Sequence, residues 1–328
     1  MELLNRKKTG KVERPVKVLQ FGEGNFLRAF VDYMIDIANE QGKFNGDIVL
    51  VKPIEFGSLD RFHDQECQYT VQLRGIVDGE PKRINRIVTS VADAVDAYGE
   101  YQKYADYAKL DSLRYIVSNT TEAGIVYDDT DRLEMEPPKS YPGKLTKFLY
   151  ERYKHFNGAM DKGLVMLPVE LIDDNGIHLK ECVEKLAVLW NLEDGFKTWL
   201  DEACVFTSTL VDRIVTGYPR DEAEELCKEF GYQDNLIVTG EPFALWVIES
   251  AKDISKEFPL PDAGLPVIFT DNQKPYKQRK VRILNGAHTS FVLASYLCGN
   301  DIVLESMQDE LIFNFMKATI FDEVDRKS

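Results

Sequence analysis

The segment with the most candidate chemistry is a basic stretch followed by an asparagine and a histidine. It contains Lys274, Lys277, Arg279, Lys280 and Arg282, then Asn285 and His288. On an α-helix that turns about 100° per residue, Lys280, Asn285 and His288 fall on one side. A lysine in a dry pocket among other cations loses its proton more readily and can act as general base, while Asn and His can donate hydrogen bonds to an alkoxide or carbonyl oxygen. The alternative is a solvated basic face with a structural histidine.

A second candidate is the glycine-containing turn Gly22-Glu23-Gly24-Asn25, which joins the apolar run 16–21 to a helical periodicity over residues 26–39. Glycines between a strand and a helix allow a tight turn and close approach of a pyrophosphate. The context predicts a dinucleotide site. Leu27 occupies the place of the third glycine of the fingerprint, so a simple strand-to-helix turn is the alternative.

The end of the next apolar run, residues 47–51, does not carry the acid that usually binds the ribose 2′-hydroxyl. Lys52 and Pro53 follow instead, and the nearest acid is Glu55. The sequence therefore leaves NAD and NADP open, and Lys52 favours a 2′-phosphate.

Small polar residues follow the apolar run 115–118. They are Asn119, Thr120, Thr121 and Glu122. In a doubly wound sheet they would stand at the ligand crevice and could reach a nicotinamide ribose. A capped helix start explains the same residues equally well.

Strand-like runs and helical periodicities alternate along most of the chain. The predicted strands are residues 16–21, 47–51, 69–73, 83–91, 115–118, 163–167, 205–210 and 235–239. The predicted helices are residues 26–39, 98–110, 143–156, 176–189, 193–202 and 221–230. This alternation predicts an α/β fold with a mostly parallel, doubly wound sheet of the Rossmann type and helices on both faces.

The composition changes at residues 258–262, where prolines cluster, and a connector is expected through Pro275. From Tyr276 onward the pattern is almost entirely helical. We therefore predict a dinucleotide-binding domain over residues 1–262 and a helical domain over residues 263–328, with an error of about fifteen residues at the boundary.

Composition and charge restrict the function. Lys and Arg number 40 against 55 Asp and Glu, a net charge of −15, which disfavours binding to nucleic acid or an anionic membrane. Five scattered cysteines without a CxxC pair argue against disulfides and zinc, and the four histidines never pair at ligand spacing. No secretory signal or long apolar span is present, so a cytoplasmic location is expected.

Six segments together carry a family resemblance. They read GEGNFLRAF (22–30), SNTTEAG (118–124), PVELIDDNG (168–176), VDRI (211–214), EPF (241–243) and KVRILNGAH (280–288). They resemble the mannitol dehydrogenase family of long-chain, metal-independent polyol and hexuronate dehydrogenases, and the last segment matches its K-x4-N-x2-H signature. The resemblance implies NAD(H)-dependent interconversion of a ketohexuronate and an aldonate, with tagaturonate and altronate as the expected pair.

The resemblance also implies roles for individual residues. Lys280 would be the general base in oxidation and the acid in reduction, and Asn285 and His288 would polarise the substrate oxygen. Substrate contacts are expected from the same three residues with Glu170 and Asp212. Cofactor contacts are expected from Phe21, Gly22, Gly24, Asn25, Phe26, Arg28, Asn119, Thr120, Thr121, Glu122 and Asp212. No metal is expected.

Family members continue beyond the catalytic helix into an all-helical substrate domain, so the substrate domain of this sequence is expected to be incomplete or the chain to be a fragment. Such a chain would bind dinucleotide but turn over poorly. Two other functions stay open: a fructuronate or mannitol dehydrogenase of the same family, and a dinucleotide-binding sensor without catalysis. The oligomeric state is left open.

Overall fold

A computed structural model describes residues 1–120 and 123–324. The chain divides into two compact units, one spanning Met1–Asp271 and the other beginning at Asn272. The division lies beyond residue 262, where the proline-rich segment places the predicted boundary. Each unit has its own architecture.

The strands and helices have the following bounds. The strands are β1 (Val16–Phe21), β2 (Asp47–Lys52), β3 (Tyr69–Val77), β4 (Glu80–Val88), β5 (Val91–Asp96), β6 (Tyr115–Ser118), β7 (Val165–Pro168), β8 (Val205–Phe206), β9 (Ser208–Asp212), β10 (Val215–Gly217), β11 (Val238–Gly240), β12 (Leu245–Glu249) and β13 (Val267–Thr270). The α-helices are α1 (Arg6–Thr9), α2 (Asn25–Leu27), α3 (Tyr33–Glu40), α4 (Asp60–Asp64), α5 (Tyr101–Asp106), α6 (Tyr141–His155), α7 (Asn175–Leu189), α8 (Asp194–Glu202), α9 (Ala223–Phe230), α10 (Lys274–Arg279), α11 (Gly286–Leu297), α12 (Val303–Gln308) and α13 (Glu310–Ala318). Turns of π-helix lie at Arg28–Asp32, Lys280–Asn285 and Thr319–Val324, and 3₁₀ turns lie at Tyr107–Lys109, Met160–Lys162 and Pro261–Ala263. Within the described residues no helix is long and apolar enough to cross a membrane.

The centre of the first unit is a parallel sheet of six strands in the order β5-β2-β1-β6-β7-β8. In order of appearance within the sheet this is 3-2-1-4-5-6, the order of the doubly wound dinucleotide fold. All six residues of β2 are buried, as expected for a sheet covered by helices on both faces. The predicted fold class is confirmed.

The predicted strand over residues 83–91 is in fact two strands that belong to different sheets. Asp36 Oδ1 accepts hydrogen bonds from the Thr89 N–H (2.7 Å), the Thr89 hydroxyl (3.0 Å) and the Ser90 hydroxyl (2.9 Å). These bonds turn the chain between β4 and β5. β4 forms an antiparallel hairpin with β3 in a separate sheet, β10-β11-β3-β4, while β5 joins the parallel sheet. The prediction of one strand was wrong because a buried carboxylate from a distant helix ends it.

The predicted connector contains a strand. β13 pairs in parallel with β12, which pairs antiparallel with β9. Pro266 stands just before β13, where a proline removes no ladder donor, and its carbonyl oxygen accepts from the Trp246 N–H at 2.9 Å. One proline of the predicted connector, Pro266, therefore marks the entrance to an edge strand.

The second unit is helical, as predicted. Its buried side chains include Ala287, Phe291 and Ile312. Large apolar side chains also lie on its surface, including Leu293 and Leu297, which are 75% and 86% exposed. The apolar residues of this unit thus do not all face its own small core.

A buried arginine connects α6 to the loops around β6 in the first unit. Arg152 is 1% exposed. It donates to the carbonyl oxygens of Ala108 and Leu110 (both 2.8 Å), Leu113 (3.0 Å) and Lys162 (2.7 Å). One guanidinium thereby donates to four backbone carbonyl groups, which is possible because it presents five N–H donors in a rigid plane.

Arg152→Met should lower the free energy of unfolding by about 3 kcal/mol or more, because it leaves several carbonyl groups without a donor. Urea unfolding followed by circular dichroism measures the change. Lys154→Ala is the matched control, since Lys154 is exposed on the same helix and its removal should cost less than about 0.5 kcal/mol. An equal loss of unfolding free energy in the two variants would contradict this role of Arg152.

Candidate active site

The turn after β1 contains a glycine that no other residue can replace without strain. Gly22 has a φ of +125°, and a Cβ there would lie 3.1 Å from Leu27 Cδ1 and 3.3 Å from the Asn119 carbonyl oxygen. Its N–H donates to the Val51 carbonyl oxygen at 2.9 Å. Gly24, in contrast, has a φ of −68° and open space at its Cβ position. Gly22 therefore packs closely against neighbouring segments, whereas the space beside Gly24 is open.

A cavity of about 810 Å³ opens beside this turn. It lies at the carboxyl ends of β1 and β6, where the strand order reverses and doubly wound sheets bind their ligands. Its volume falls within the range of about 300–1,000 Å³ that small-molecule sites occupy. The cavity is lined by Gly22, Glu23, Gly24, Pro53, Ile54, Asn119, Thr120, Ala123, Gly124, Val126, Tyr127, Asp128, Asp129, Lys139, Ser140, Tyr141 and Lys144.

Several predicted cofactor residues line this cavity, namely Gly22, Gly24, Asn119 and Thr120. Phe21 does not. Its ring is buried in the core against Tyr104 and Tyr141, at centroid distances of 5.9 and 5.1 Å, so it contributes the end of β1 rather than a side-chain contact. Thr121 and Glu122 lie outside the described residues.

Glu170 lies behind the cavity wall and fixes the end of β6. It is 2% exposed. Its Oε1 accepts from the Thr120 N–H (3.0 Å) and hydroxyl (2.9 Å), and its Oε2 accepts from the Ser118 hydroxyl (3.1 Å). Burial raises the pKa of Glu170, and these donors oppose that shift. The structure thus gives Glu170 a positioning role at the end of β6, and the substrate contact that the resemblance implied remains a prediction.

Arg28 also faces the fold rather than the cavity. It is 6% exposed, and it donates to the Leu236 carbonyl oxygen and to Asn25 Oδ1, both at 2.6 Å. Its guanidinium lies 5.1 Å from the centre of the Tyr69 ring. The Phe26 ring stacks on Phe30 at 5.1 Å. Arg28, Asn25 and Phe26 therefore support the residues that follow the glycine turn, and the cofactor contacts expected from them remain predictions.

Lys52 does not present a free charge to a 2′-phosphate, contrary to the prediction from its position after the second strand. Its side chain is 1% exposed, and its Nζ lies 3.0 Å from Asp96 Oδ2. The same ammonium donates to the carbonyl oxygens of Ile54 (2.9 Å), Glu55 (3.3 Å) and Phe56 (3.4 Å). An ammonium has three N–H groups, so all are used by Asp96 and by the loop after β2.

Some lining residues carry no motif and were missed from the sequence. Pro53 and Ile54 follow β2, so the rule that ligands bind at strand ends could have found them. Lys144 lies on α6, and its Nζ donates to the Lys139 carbonyl oxygen (2.6 Å) and the Tyr98 hydroxyl (3.2 Å). Burial lowers the pKa of Lys144 to about 8. No spacing in the sequence relates Lys144 to the glycine turn.

Asp212 ends β9 opposite Leu245 in the β13-β12-β9 sheet. It is half-buried and is not among the residues that line the cavity, so its predicted cofactor and substrate contacts remain predictions. Across residues 1–120 and 123–324, no group of three or more His, Cys, Asp or Glu side chains is arranged to hold a metal ion.

The predicted catalytic residues lie in the second unit. Lys280 begins the π-helical turn that Asn285 ends, and His288 lies on α11. Hydrogen bonding from i to i+5 widens this turn, so the assumption of about 100° per residue does not hold between Lys280 and Asn285. Lys280 is half-buried, while Asn285 and His288 are exposed. Such π-turns occur frequently at functional sites.

A buried acid lies in the π-turn that follows α2. Asp32 is fully buried and accepts a hydrogen bond from the Tyr69 hydroxyl at 2.6 Å. Burial raises the pKa of Asp32 from its usual 3.8 to about 7, although the hydrogen bonds and the charge of Arg28 oppose the shift. The folded protein therefore holds a proton here that the unfolded chain releases at lower pH.

The free energy of unfolding of Asp32→Asn minus that of the native protein should increase with pH. Because the folded pKa of Asp32 is raised, the native protein loses stability as pH increases from about 4 to about 7, and the asparagine variant does not. Between pH 5 and pH 8 the change should be about 3 kcal/mol. Urea unfolding at pH 5 and pH 8 measures it, and a difference that stays constant with pH would contradict the burial of a titrating Asp32.

Comparison with known proteins identifies the same type of fold as the strand order. The family model "Mannitol dehydrogenase Rossmann domain" matches residues 16–261, and the model "Mannitol dehydrogenase C-terminal domain" matches residues 272–326. The chain is 44% identical over 324 residues to an altronate oxidoreductase of Phocaeicola vulgatus, covering 99% of this chain and 68% of that protein. It is 46% identical over 310 residues to an altronate oxidoreductase of Bacillus subtilis, covering 94% and 65%. The chain thus spans about two thirds of the length of these relatives.

Solved structures share the fold. The ternary complex of Pseudomonas fluorescens mannitol 2-dehydrogenase with NAD and D-mannitol superimposes with a TM-score of 0.78 at 22% identity, covering 100% of this chain and 70% of that one. D-sorbitol dehydrogenase in substrate-free form gives a TM-score of 0.80 at 20% identity, covering 97% and 69%. With both family models matched in order along the sequence, the chain belongs to the mannitol dehydrogenase family.

Proposed function

We propose that this protein is an NAD(H)-dependent oxidoreductase that interconverts tagaturonate and altronate. The observation that carries the proposal is the Lys280, Asn285 and His288 signature in a chain that is 44–47% identical to altronate oxidoreductases over nearly its whole length. The cavity at the reversal of strand order supports the cofactor part of the proposal.

The residues around the cavity fit a dinucleotide. Gly22 and Gly24 leave the turn open to a pyrophosphate, since no side chain occupies the space at Gly24. Asn119 and Thr120 would contact the nicotinamide half, and Glu170 holds Thr120 in place. NAD(H), when bound, supplies the hydride acceptor or donor.

The chain's own residues would handle the proton and the substrate oxygen. In alcohol oxidation neutral Lys280 takes the hydroxyl proton at Nζ, and in ketone reduction the ammonium returns it. Asn285 and His288 would donate hydrogen bonds to the oxygen as it gains negative charge. These roles need no metal ion.

We also propose a cytoplasmic location. All five cysteines are free thiols, four of them buried and Cys298 exposed, which suits a reducing compartment.

Lys280→Ala should lower kcat for tagaturonate reduction by about 10² to 10⁴ while leaving the Kd for NADH unchanged, because the glycine turn holds the cofactor separately. Initial rates from NADH absorbance and a fluorescence titration measure the two quantities. Lys274→Ala is the matched control, since Lys274 is an exposed lysine on the preceding helix. A Lys280→Ala variant with native kcat would exclude Lys280 as the acid and base.

A substrate panel tests the sugar. Tagaturonate should be reduced with a higher kcat/KM than fructuronate or fructose. Preference for either of the other two would indicate a different member of the family, and NADH binding without turnover of any sugar would indicate a sensor.

Glu170→Ala should weaken NADH binding about tenfold, because the Thr120 amide and two hydroxyl groups lose their acceptor. Glu170→Gln keeps a side-chain carbonyl oxygen for Thr120 and should bind within about threefold of the native protein. Fluorescence titration measures Kd, and melting curves check that both variants fold. If Glu170→Ala bound NADH as tightly as the native protein, Thr120 would not be part of the cofactor site.

A further inference from the structure

The end of β2 carries a lysine where an acid usually binds the adenosine ribose. In doubly wound folds an acid in this place accepts a hydrogen bond from the ribose 2′-hydroxyl. Here Lys52 occupies the place and is fully engaged with the loop that follows it. If the protein binds NAD(H), as proposed above, another group must accept from the ribose.

The nearest acid in space to Lys52 is also engaged. Asp96 ends β5, directly beside Lys52 in the sheet register. Its Oδ2 pairs with the Lys52 ammonium at 3.0 Å, and its Oδ1 accepts from the Tyr98 N–H at 2.9 Å. Asp96 thus compensates the buried lysine and caps the loop before α5.

In the part of the chain that the structure describes, three carboxylates line the cavity, and Glu23 is the one in the glycine turn. The other two, Asp128 and Asp129, lie in the loop between β6 and α6. Glu23 lines the cavity together with its two neighbouring glycines and with Pro53 and Ile54 from the end of β2. Its carboxylate lies close enough to Lys52 and Asp96 for both charges to act on it, and burial raises the pKa of Glu23. Within the described residues, its carboxylate accepts a hydrogen bond only from its own backbone amide.

We propose that Glu23 is the acceptor for the ribose hydroxyl groups and the residue that selects NAD(H) over NADP(H). A carboxylate can accept from both the 2′- and the 3′-hydroxyl, and such charge-assisted hydrogen bonds are stronger than neutral ones. A 2′-phosphate would instead meet a negative charge, and Lys52 has no N–H group left to compensate it. The carboxylate that usually stands at the end of the second strand is thereby supplied by the turn after β1.

Glu55 is the competing candidate, because it is the first acid after β2 in the sequence. Its side chain is exposed and it is not among the lining residues of the cavity. Its contribution to the site is its carbonyl oxygen, which Lys52 holds at 3.3 Å. Glu55→Gln is therefore a matched control that removes one negative charge from the neighbouring loop.

The test uses the full chain and fluorescence titration with NADH and NADPH at one pH and two salt concentrations. Native protein should prefer NADH, and Glu23→Gln should lower the ratio of Kd(NADPH) to Kd(NADH) at least tenfold, whereas Glu55→Gln should leave it unchanged. Added salt should reduce the ratio in the native protein more than in Glu23→Gln, because salt screens the repulsion. An unchanged ratio in Glu23→Gln, or an equal fall in Glu55→Gln, would overturn the proposal.

A measurement on the native protein covers the case in which Glu23→Gln does not fold. NADH that lacks the adenosine 2′-hydroxyl should bind about tenfold more weakly than NADH, and Glu23→Asp, which keeps the charge, should still prefer NADH to NADPH. If NADH with and without the 2′-hydroxyl bound equally tightly, the proposed role of Glu23 would be wrong, and the proposed function would be unaffected. Failure of the native protein to bind any dinucleotide would instead refute the proposed function on which it rests.

Discussion

The close approach of three chain segments at Gly22 is the constraint on which the site depends. The end of β1, the first helical turn at Leu27 and the carbonyl group of Asn119 after β6 meet where a Cβ would be only 3.1–3.3 Å from its neighbours. Because no side chain fits there, the two strands can present their carboxyl ends to one cavity. The strand order reverses at the same point, so the crevice and the glycine have a common origin.

Buried charged groups hold the walls of this cavity in place. Arg28 and Lys52 donate to backbone carbonyl groups, and Glu170 accepts from the end of β6. A buried ionic group is costly unless it is paired or hydrogen-bonded, and here the hydrogen-bond partners include the loops that shape the site. Charges that look available to a cofactor in the sequence are therefore structural, which leaves the partly buried Glu23 as the distinctive charge at the β2 edge of the cavity.

The two units carry different parts of the proposed reaction. The first unit has the sheet, the glycine turn and the cavity, and its alternation of strands and helices gives it two extensive cores. The second unit carries Lys280, Asn285 and His288 on a π-turn followed by α11. A widened turn changes which side chains share a face, so the relative directions of these residues depend on its hydrogen bonding and not on helical periodicity alone.

The sequence by itself determined the alternation of strands and helices that marks the fold class, the glycine turn, the helical character of the second unit and the signature residues, because each depends on residues that are close together in the chain. Tertiary structure decided the break at Thr89 and Ser90, the strand inside the predicted connector, and the inward direction of Lys52 and Arg28. Each of these results from contacts between distant segments, such as Asp36 with Ser90 or Lys52 with Asp96. Local patterns record which side chain is present, but whether its charge faces a ligand or a backbone carbonyl is decided by what the folded chain brings beside it.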